Sequence, residues 1–550
     1  MHVLLTIVLA GTGLVSIPEI QGAGHESPWE GRNIRTRGMV TAVDPRGFHL
    51  QDEEGDDDPA TSDGIYVFMG ERPRVAAGER LAVQATVKEW VPGGVRTANL
   101  SVTELIDVTI QRLSRGHELP DPIEIGPQGR MPPDAVIDDD GLARYDPIED
   151  AIDFYESLEG MRVRIPRPVA VSALNHHGEL FVLPADGSGA SGRNPRSGIT
   201  ISPGDFNPER LQVQLDRHRR QAVDAGARLY DVIGIIGYAY GNFEVRVSTL
   251  RIRATSRLQR ETTALESDGA HLTIATFNLC NLGAEQCGGA RHGRYALLAR
   301  QLVSHLRAPD IVAVQEVQAG AGNARRLIAE IIALGGPGYR YADVRSRDGN
   351  DGGAPGADIR PGLLFNPARV GLVPGSLRLI ADADPADGDA FAGSRKPLAA
   401  EFVFNGRRLI VVNVHFSSKR GSSPLFGRIQ PPVDRNAERR AAQATEVAAF
   451  VRGVAGRADG MVVLGDFNDF WFSPPLDLLR RSGGLVNLMS TLPEPERYTF
   501  IFEGNAQALD HVLVSPALAR QAELDIVHVN AEFAEQASDH DPVVVRMHLP

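Results

Sequence analysis

Hydrophobic and polar positions follow two different rhythms along this chain. Between residues 30 and 110, apolar and polar residues alternate in short runs: "IRTRGMVTAVD", "GFHLQD", "GIYVFMG", "ERLAVQATVKEW" and "TANLSVTEL". Alternation with period two, broken by Gly and acidic residues, predicts the strands of a small barrel or sandwich. A second unit opens near "FYESLEGMRVRI" and repeats the order through "PVAVSALN", "GELFVLPADG" and "VDAGARLYDVIGIIGYAYGNFEVRV". Beyond residue 270 the rhythm changes. "HLTIATFNL", "PDIVAVQEV", "RRLIVVNVHFSS" and "GMVVLGDFND" read as buried strands, whereas "RHGRYALLARQLVSHL", "NARRLIAEIIALG" and "ERRAAQATEVAAFVRGV" carry helical periodicity.

These rhythms divide the chain. Residues 28–115 and 151–255 are expected to form two small all-β domains, with a Pro-rich acidic linker at 116–150. A polar linker at 256–269 leads to an α/β domain over 270–550. The stretches "VAAGERLAVQATV" (75–87) and "VDAGARLYDVIGI" (223–235) share Val, Ala-Gly and Arg-Leu at the same offset. That hint of duplication favours the same architecture for both β units, and five-stranded OB-like barrels fit the strand count.

The first residues, "MHVLLTIVLAGTGLVS", are apolar for too short a run to span a membrane and fit a secretory signal over residues 1–24, with a buried N-terminal strand as the alternative. They lack a basic residue before Val3. Export would place the protein outside the cell, in a periplasm or at the cell surface, without stable membrane insertion. In such a compartment Cys280 and Cys287 can form a short-loop disulfide, and in a reducing one they are two thiols.

The net charge of −13 argues at first against a nucleic-acid partner. Residues 268–550 carry 29 basic and 31 acidic side chains, however, leaving 28 and 39 for the rest. The excess acid therefore belongs to the N-terminal half. Part of it lies in "QDEEGDDDPATSDG" (51–64), which lacks the EF-hand spacing and reads as a solvated hairpin loop, with Ca2+ binding as the other reading.

In the α/β half, each predicted strand ends in polar residues: Asn278, Glu316, His415, Asp466 with Asn468, Asp510 with His511, and Asp539-His540 before "DPVVV", where Asp541 reads as part of the turn. One such residue has a bland account as a cap or turn. Six in succession would repeat an unpaired buried charge that costs several kcal/mol, unless a counter-charge is shared. Oxygen ligands with amide help suit Mg2+ or Mn2+. Carboxylates, amides and two histidines around a hard cation fit metal-assisted phosphoester hydrolysis. No P-loop, dinucleotide fingerprint, Gly-x-Ser-x-Gly elbow or HExxH occurs in the right context.

In that order, "IATFNL", "DIVAVQEV", "VVNVHFSS", "VVLGDFND", "LDHVLVS" and "SDHDPV" resemble the motifs of the endonuclease/exonuclease/phosphatase superfamily, which includes deoxyribonuclease I-like enzymes. The resemblance implies a four-layer α/β/β/α sandwich. It also implies that Asn278, Glu316 and Asp539 hold the cation and that Asp466 and Asn468 orient water. His415 and His540 would contact the phosphate, with Asp510 pairing His540. Arg395 resembles a phosphate-contacting arginine of the family. Arg360 lies on a matching strand edge, where Pro361 departs from the expected apolar residue, and either arginine also reads as a solvated surface group. Small β domains ahead of such a unit look like bacterial extracellular nucleases. The reading is an exported Mg2+-dependent phosphodiesterase, a nuclease acting foremost on extracellular DNA, with RNA as a secondary substrate. A lipid or sugar-phosphate phosphoesterase, or a nucleic-acid-binding protein with a degenerate site, stands as the alternative. An inositol phosphatase of this kind would want Cys-Asp-Arg where "ALDHVL" stands, and a sphingomyelinase an exposed aromatic hairpin; here Trp471 and Phe472 are expected to pack under the site.

Overall fold

The computed structural model describes residues 13–216, 221–283, 287, 293–318, 321–345, 353–354, 357–381 and 389–549. The first twelve residues of the expected leader thus lie outside the described residues. Its remainder is part of the fold: Ser16 and Glu19 form a capping box on a short helix, Ile17–Gln21, and Val15, Ile17 and Ile20 are buried in the core of the first unit. Among the described residues, no helix is long and apolar enough to cross a membrane.

The alternating stretches of the first unit form β1 (Asn33–Val43), β2 (Gly47–Gln51), β3 (Gly64–Phe68), β4 (Arg80–Trp90) and β5 (Val102–Ser114), closed into a barrel in the order β1-β2-β3-β5-β4. β3 and β5 run parallel and β1 closes on β4. The barrel is filled by Ile34, Val40, Phe48, Leu50, Ile65, Val67, Val83 and Leu105.

The second unit differs from the expected second barrel. Its strands form one nine-stranded sheet, with Ile252–Ala254 at one edge and Ile123–Glu124 at the other. The edge strand Ile123–Glu124 comes from the segment expected as a linker, which also buries Ile125 and Ile137 in the core. The repeated Ala-Gly-x-Arg-Leu places Gly78 and Gly226 at matching turns, with φ of 82° and 80°. In the first copy one strand follows, and in the second it breaks into Arg228–Leu229 and Val232–Ala239. The polar stretch 256–269 is not a free linker either, since Arg260 and Glu261 bond to the backbone at Val529 and His528.

In the α/β half, two sheets face one another. The first runs Arg340–Ala342, Ala357–Phe365, Ile311–Gln318, His271–Leu282, Val543–His548, Ala522–Ile526. The second runs Gly371–Leu372, Leu398–Phe404, Arg407–His415, Gly460–Asp466, Asp510–Val514, Val486–Asn487. Strand alternation decides which residues meet. Ile274, Ala313 and Leu363 of the first sheet pack on Phe402, Val411, Val462 and Val512 of the second. The opposite faces take helices. Phe277 and Val312 pack under Arg294–Arg300 and Ala321–Ala333, and Val412 and Val463 under Ala437–Gly453 and Pro474–Gly483.

The second unit is bound to this half by shared structure. Ile199–Thr200 pairs in parallel with Asn505–Gln507, whose hairpin partner is Phe500–Phe502. Arg196 pairs with Glu532 at 2.6 Å, and Asn207 donates to Asn505 at 2.7 Å.

Candidate active site

Strand register alone sets half of the site. His415 lies opposite Asp466, and Asp466 opposite Asp510, on three adjacent strands of the second sheet. Residues directly opposite each other project to the same face with Cβ atoms about 5 Å apart, so the three groups stand in a row. The first sheet brings Asn278 opposite Gln315, one residue before Glu316. The backbone closes tightly here: a Cβ on Gly465, whose φ is 140°, would stand 2.0 Å from the Val414 carbonyl oxygen. Cys280, Asn281, Glu316 and Asn468 all adopt positive φ between 45° and 59°. For residues other than glycine, that conformation is sparsely populated and persists where surrounding structure enforces it.

The Asn278 amide joins the two sheets, donating to Glu316 at 3.3 Å and Asp466 at 3.0 Å, while its oxygen accepts from the Cys280 N–H at 2.8 Å. The Asn281 N–H donates to the other oxygen of Glu316 at 2.7 Å. His415 Nε2 faces Asp466 at 3.5 Å and Glu316 at 3.8 Å. Asn468 donates its backbone N–H to Asp466 at 2.8 Å and its amide to Phe416 and Asp466. His540 Nδ1 meets Asp510 Oδ2 at 2.7 Å, and that same oxygen accepts the Thr499 hydroxyl at 2.7 Å. The ring of Phe500 lies against His540, with centroids 4.9 Å apart. Asp539 adjoins the Cys280–Cys287 disulfide, which the structure forms. Arg395 donates to the Phe416 carbonyl, and its charge acts on Glu316 and Asp466. Arg360 lies opposite Val317 on the neighbouring strand and pairs with Asp343 at 3.3 Å.

Burial and neighbouring charge push these groups apart in proton affinity. Burial, then the Asp539 carboxylate, raises Glu316. Burial, only partly offset by His540, raises Asp466 to about 7. Burial, with Arg395 and His540 alongside, holds His415 well below the usual imidazole range. His540 goes the other way: burial works against its charge, but Asp510, with Asp466 and Asp539 behind it, outweighs burial and raises it. One imidazole is thus neutral and the other a cation, both at one carboxylate cluster.

The donor set fits a hard divalent cation. Glu316 and Asp539 offer carboxylate oxygens within electrostatic reach of each other, burial resists the charge of Glu316, and the two cysteines are consumed by their disulfide. In this amide orientation, Asn278 acts as a donor to the two carboxylates. Ligating a cation through its oxygen requires the amide to turn over.

Several residues that hold the site were not legible as functional. Arg294 is buried and donates to the carbonyls of Ala537, Leu279 and Cys280, strapping the Asn278 strand end to the Asp539 loop. Ser538 donates to the Asn278 carbonyl at 2.7 Å. Arg440, fully buried, pairs with Asp469 and Asp434, and Lys419 bridges the same two carboxylates. Between the sheets, Gln315 donates to Asn413 at 2.7 Å, and Asn413 donates to the Val314 and Gly362 carbonyls. His511 turns away from the cluster and bonds the Asp469 carbonyl. Asp541, expected as part of a turn, is fully buried and accepts from the N–H groups of Val529, Asn530 and Ala531 and from His528.

Residues 275–540 match the Endonuclease/Exonuclease/phosphatase family, and residues 124–256 match a domain of unknown function (DUF8508). The latter range starts within the strand Ile123–Glu124. Similar solved structures include an endonuclease/exonuclease/phosphatase from Bacteroides vulgatus, 17% identical, covering 51% of this chain and 99% of its own at a TM-score of 0.36. The human Nocturnin catalytic domain with bound sulfate is 17% identical over 51% of this chain and 95% of its own, TM-score 0.36. D. rerio TDP2 complexed with a single-strand DNA product is 14% identical over 50% and 99%, TM-score 0.35. No curated protein matches the chain.

Proposed function

Residues 275–540 of this chain belong to the Endonuclease/Exonuclease/phosphatase family, and from that premise we propose that the protein is an exported, metal-dependent phosphodiesterase that cleaves nucleic acid, DNA foremost. We read its stacked sheets with their helical covers as the four-layer sandwich of that family, and the closed five-stranded barrel as an OB-type unit. The observation that carries the activity is the His540–Asp510 pair at 2.7 Å, buried beside the cluster of Glu316, Asp466 and His415.

In this reading Glu316 and Asp539, with the Asn278 amide turned, would hold a divalent cation, Mg2+ or Mn2+, which would supply charge to offset the phosphate and the leaving oxygen. Asp466, whose proton affinity burial raises, takes a proton from the attacking water. Asn468 fixes its direction by donating to it. His540, kept charged by Asp510, faces the phosphate oxygens or protonates the departing one. His415, kept neutral, donates or accepts a hydrogen bond at the same phosphate. Arg395 adds a fixed positive charge behind Glu316 and Asp466, whereas Arg360 acts through its pair with Asp343.

The test is nicking of supercoiled plasmid with Mg2+, its loss on chelation, and the same assay on Glu316→Ala. Metal-dependent nicking that Glu316→Ala abolishes is the expected result. Intact plasmid alongside cleavage of a phospholipid or nitrophenyl phosphodiester would sink the nuclease reading. Export is tested by locating the protein in fractionated culture.

A further inference from the structure

In the acidic loop 51–64, Arg80 pairs with Glu53 at 2.7 Å and Asp56 accepts the Thr61 hydroxyl, while Asp63 keeps one buried oxygen without a partner. Elsewhere, carboxylates gather near one imidazole, that of His25, on which the charges of Asp138 and Asp140 act. In "DAVIDDDGLARYDPIEDA" (134–151), one oxygen from each of Asp138, Asp140 and Asp150 lies within 4.8 Å of the others. Asp150 is the informative member. It occupies the N-cap of the helix Ala151–Glu156, where a carboxylate ordinarily accepts a backbone N–H of the first turn. Here it makes no such bond. Asp150 as a residue is 3% exposed, and its Oδ1 has no hydrogen-bond partner. No Lys or Arg forms an ion pair with any of the three, among the described residues. The imidazole of His25 is directed instead at Asp153, with Nε2 3.2 Å from Oδ1.

A buried carboxylate that forgoes its cap and points at two others, without a cation, is an arrangement that costs several kcal/mol unless a positive charge sits between them. We propose that Asp138, Asp140 and Asp150 bind a Ca2+ ion that pins the 131–150 segment to the second β unit, separate from the catalytic cluster. Loop-borne carboxylates open to water suit calcium, which takes six to eight oxygens in flexible geometry, whereas magnesium demands a near-ideal octahedron. The turns on either side already aim the ligands: Asp138 accepts from the Gly141 and Leu142 N–H groups, and Asp140 from that of Ala143. Asp140 is exposed, so the ion enters from solvent, and water completes its coordination on that side. The neighbours Ile137, Ala151 and Ile152 lie in the core of the second unit, which makes the ion a structural clamp.

The experiment uses the full-length protein stripped with chelator, with excess Mg2+ present to occupy the catalytic centre, and reads Ca2+ binding by calorimetry and Ca2+-dependent thermal melting. One Ca2+ per chain with Kd of about 10⁻⁵–10⁻³ M and a raised melting temperature is expected. Asp150→Asn and Asp140→Asn should each weaken binding at least tenfold. Both should melt no lower than the stripped parent, since Asn keeps the shape and removes a repelling charge. Glu316→Gln should bind as the parent does. Absence of Ca2+ binding in the parent, parent-like binding in both Asp→Asn variants, or loss of binding in Glu316→Gln would each overturn the assignment.

Discussion

Asp510→Asn tests the central pair with almost no change in shape. His540 and Asp510 have side chains only 8% and 1% exposed, so solvent screens their 2.7 Å contact little. With charge centres about 4 Å apart and an effective dielectric near 20, their attraction is on the order of 4 kcal/mol. An amide in place of the carboxylate removes that attraction while burial continues to disfavour the imidazolium. Thr499 still reaches the side chain, so the strand end keeps its bond. The rate should therefore fall by roughly 10²–10⁴-fold, as for loss of a positioned acid, read as kcat on plasmid and on a chromogenic diester. The alkaline limb of the pH–rate profile should also move to lower pH, because a group needed in its charged form now loses its proton sooner. A kcat within about threefold of the parent, with an unchanged melting curve, would refute the role given to the pair.

Other expectations follow from the packing. Gly465→Ala sets a Cβ against the Val414 oxygen in a conformation that only glycine readily adopts, and should cost at least about 3 kcal/mol; a melting curve that overlays the parent's would contradict this. Glu159 is buried between the barrel and the second unit, next to Glu89, Glu156 and Glu104, and burial raises it well above the usual carboxylate range. In the unfolded chain it ionises above its ordinary value near pH 4, in the fold only much higher, so stability declines as pH rises above about 4.5. Glu159→Gln should flatten that decline, seen as melting temperatures that fall less between acidic and neutral pH. Arg196→Ala leaves the buried Glu532 without its cation and should destabilise the junction of the two halves by roughly 2–4 kcal/mol, which limited proteolysis at 256–269 would report.

The sequence revealed what was local and periodic. Strand ends of the α/β half could be read because each apolar run stops at a polar residue, and register then places those residues together. The supports could not be read: Arg294 bonds Ala537 across 243 positions and Ser538 reaches Asn278 across 260. Nothing in a local pattern distinguishes Arg294 from Arg300 at the other end of its helix. Asp541 looked like turn punctuation because its three backbone donors, at 529–531, lie in a stretch without periodicity. Alternation likewise announced strands in the second unit but not their pairing. The parallel contact of Leu211–Leu215 with Asn242–Val247 and the added edges made one sheet where a repeat of the barrel was expected.

The pairing of Ile199–Thr200 with Asn505–Gln507 bears on how this enzyme can be divided. The hairpin that receives this foreign strand begins at Thr499 and Phe500, the residues that bond Asp510 and cover His540. A fragment starting at residue 270 would keep every group assigned to chemistry, yet leave that hairpin with an open edge and Asn505 without Asn207. Modularity in the sequence therefore stops short of modularity in function, because the boundary between the halves runs along the hairpin that covers His540.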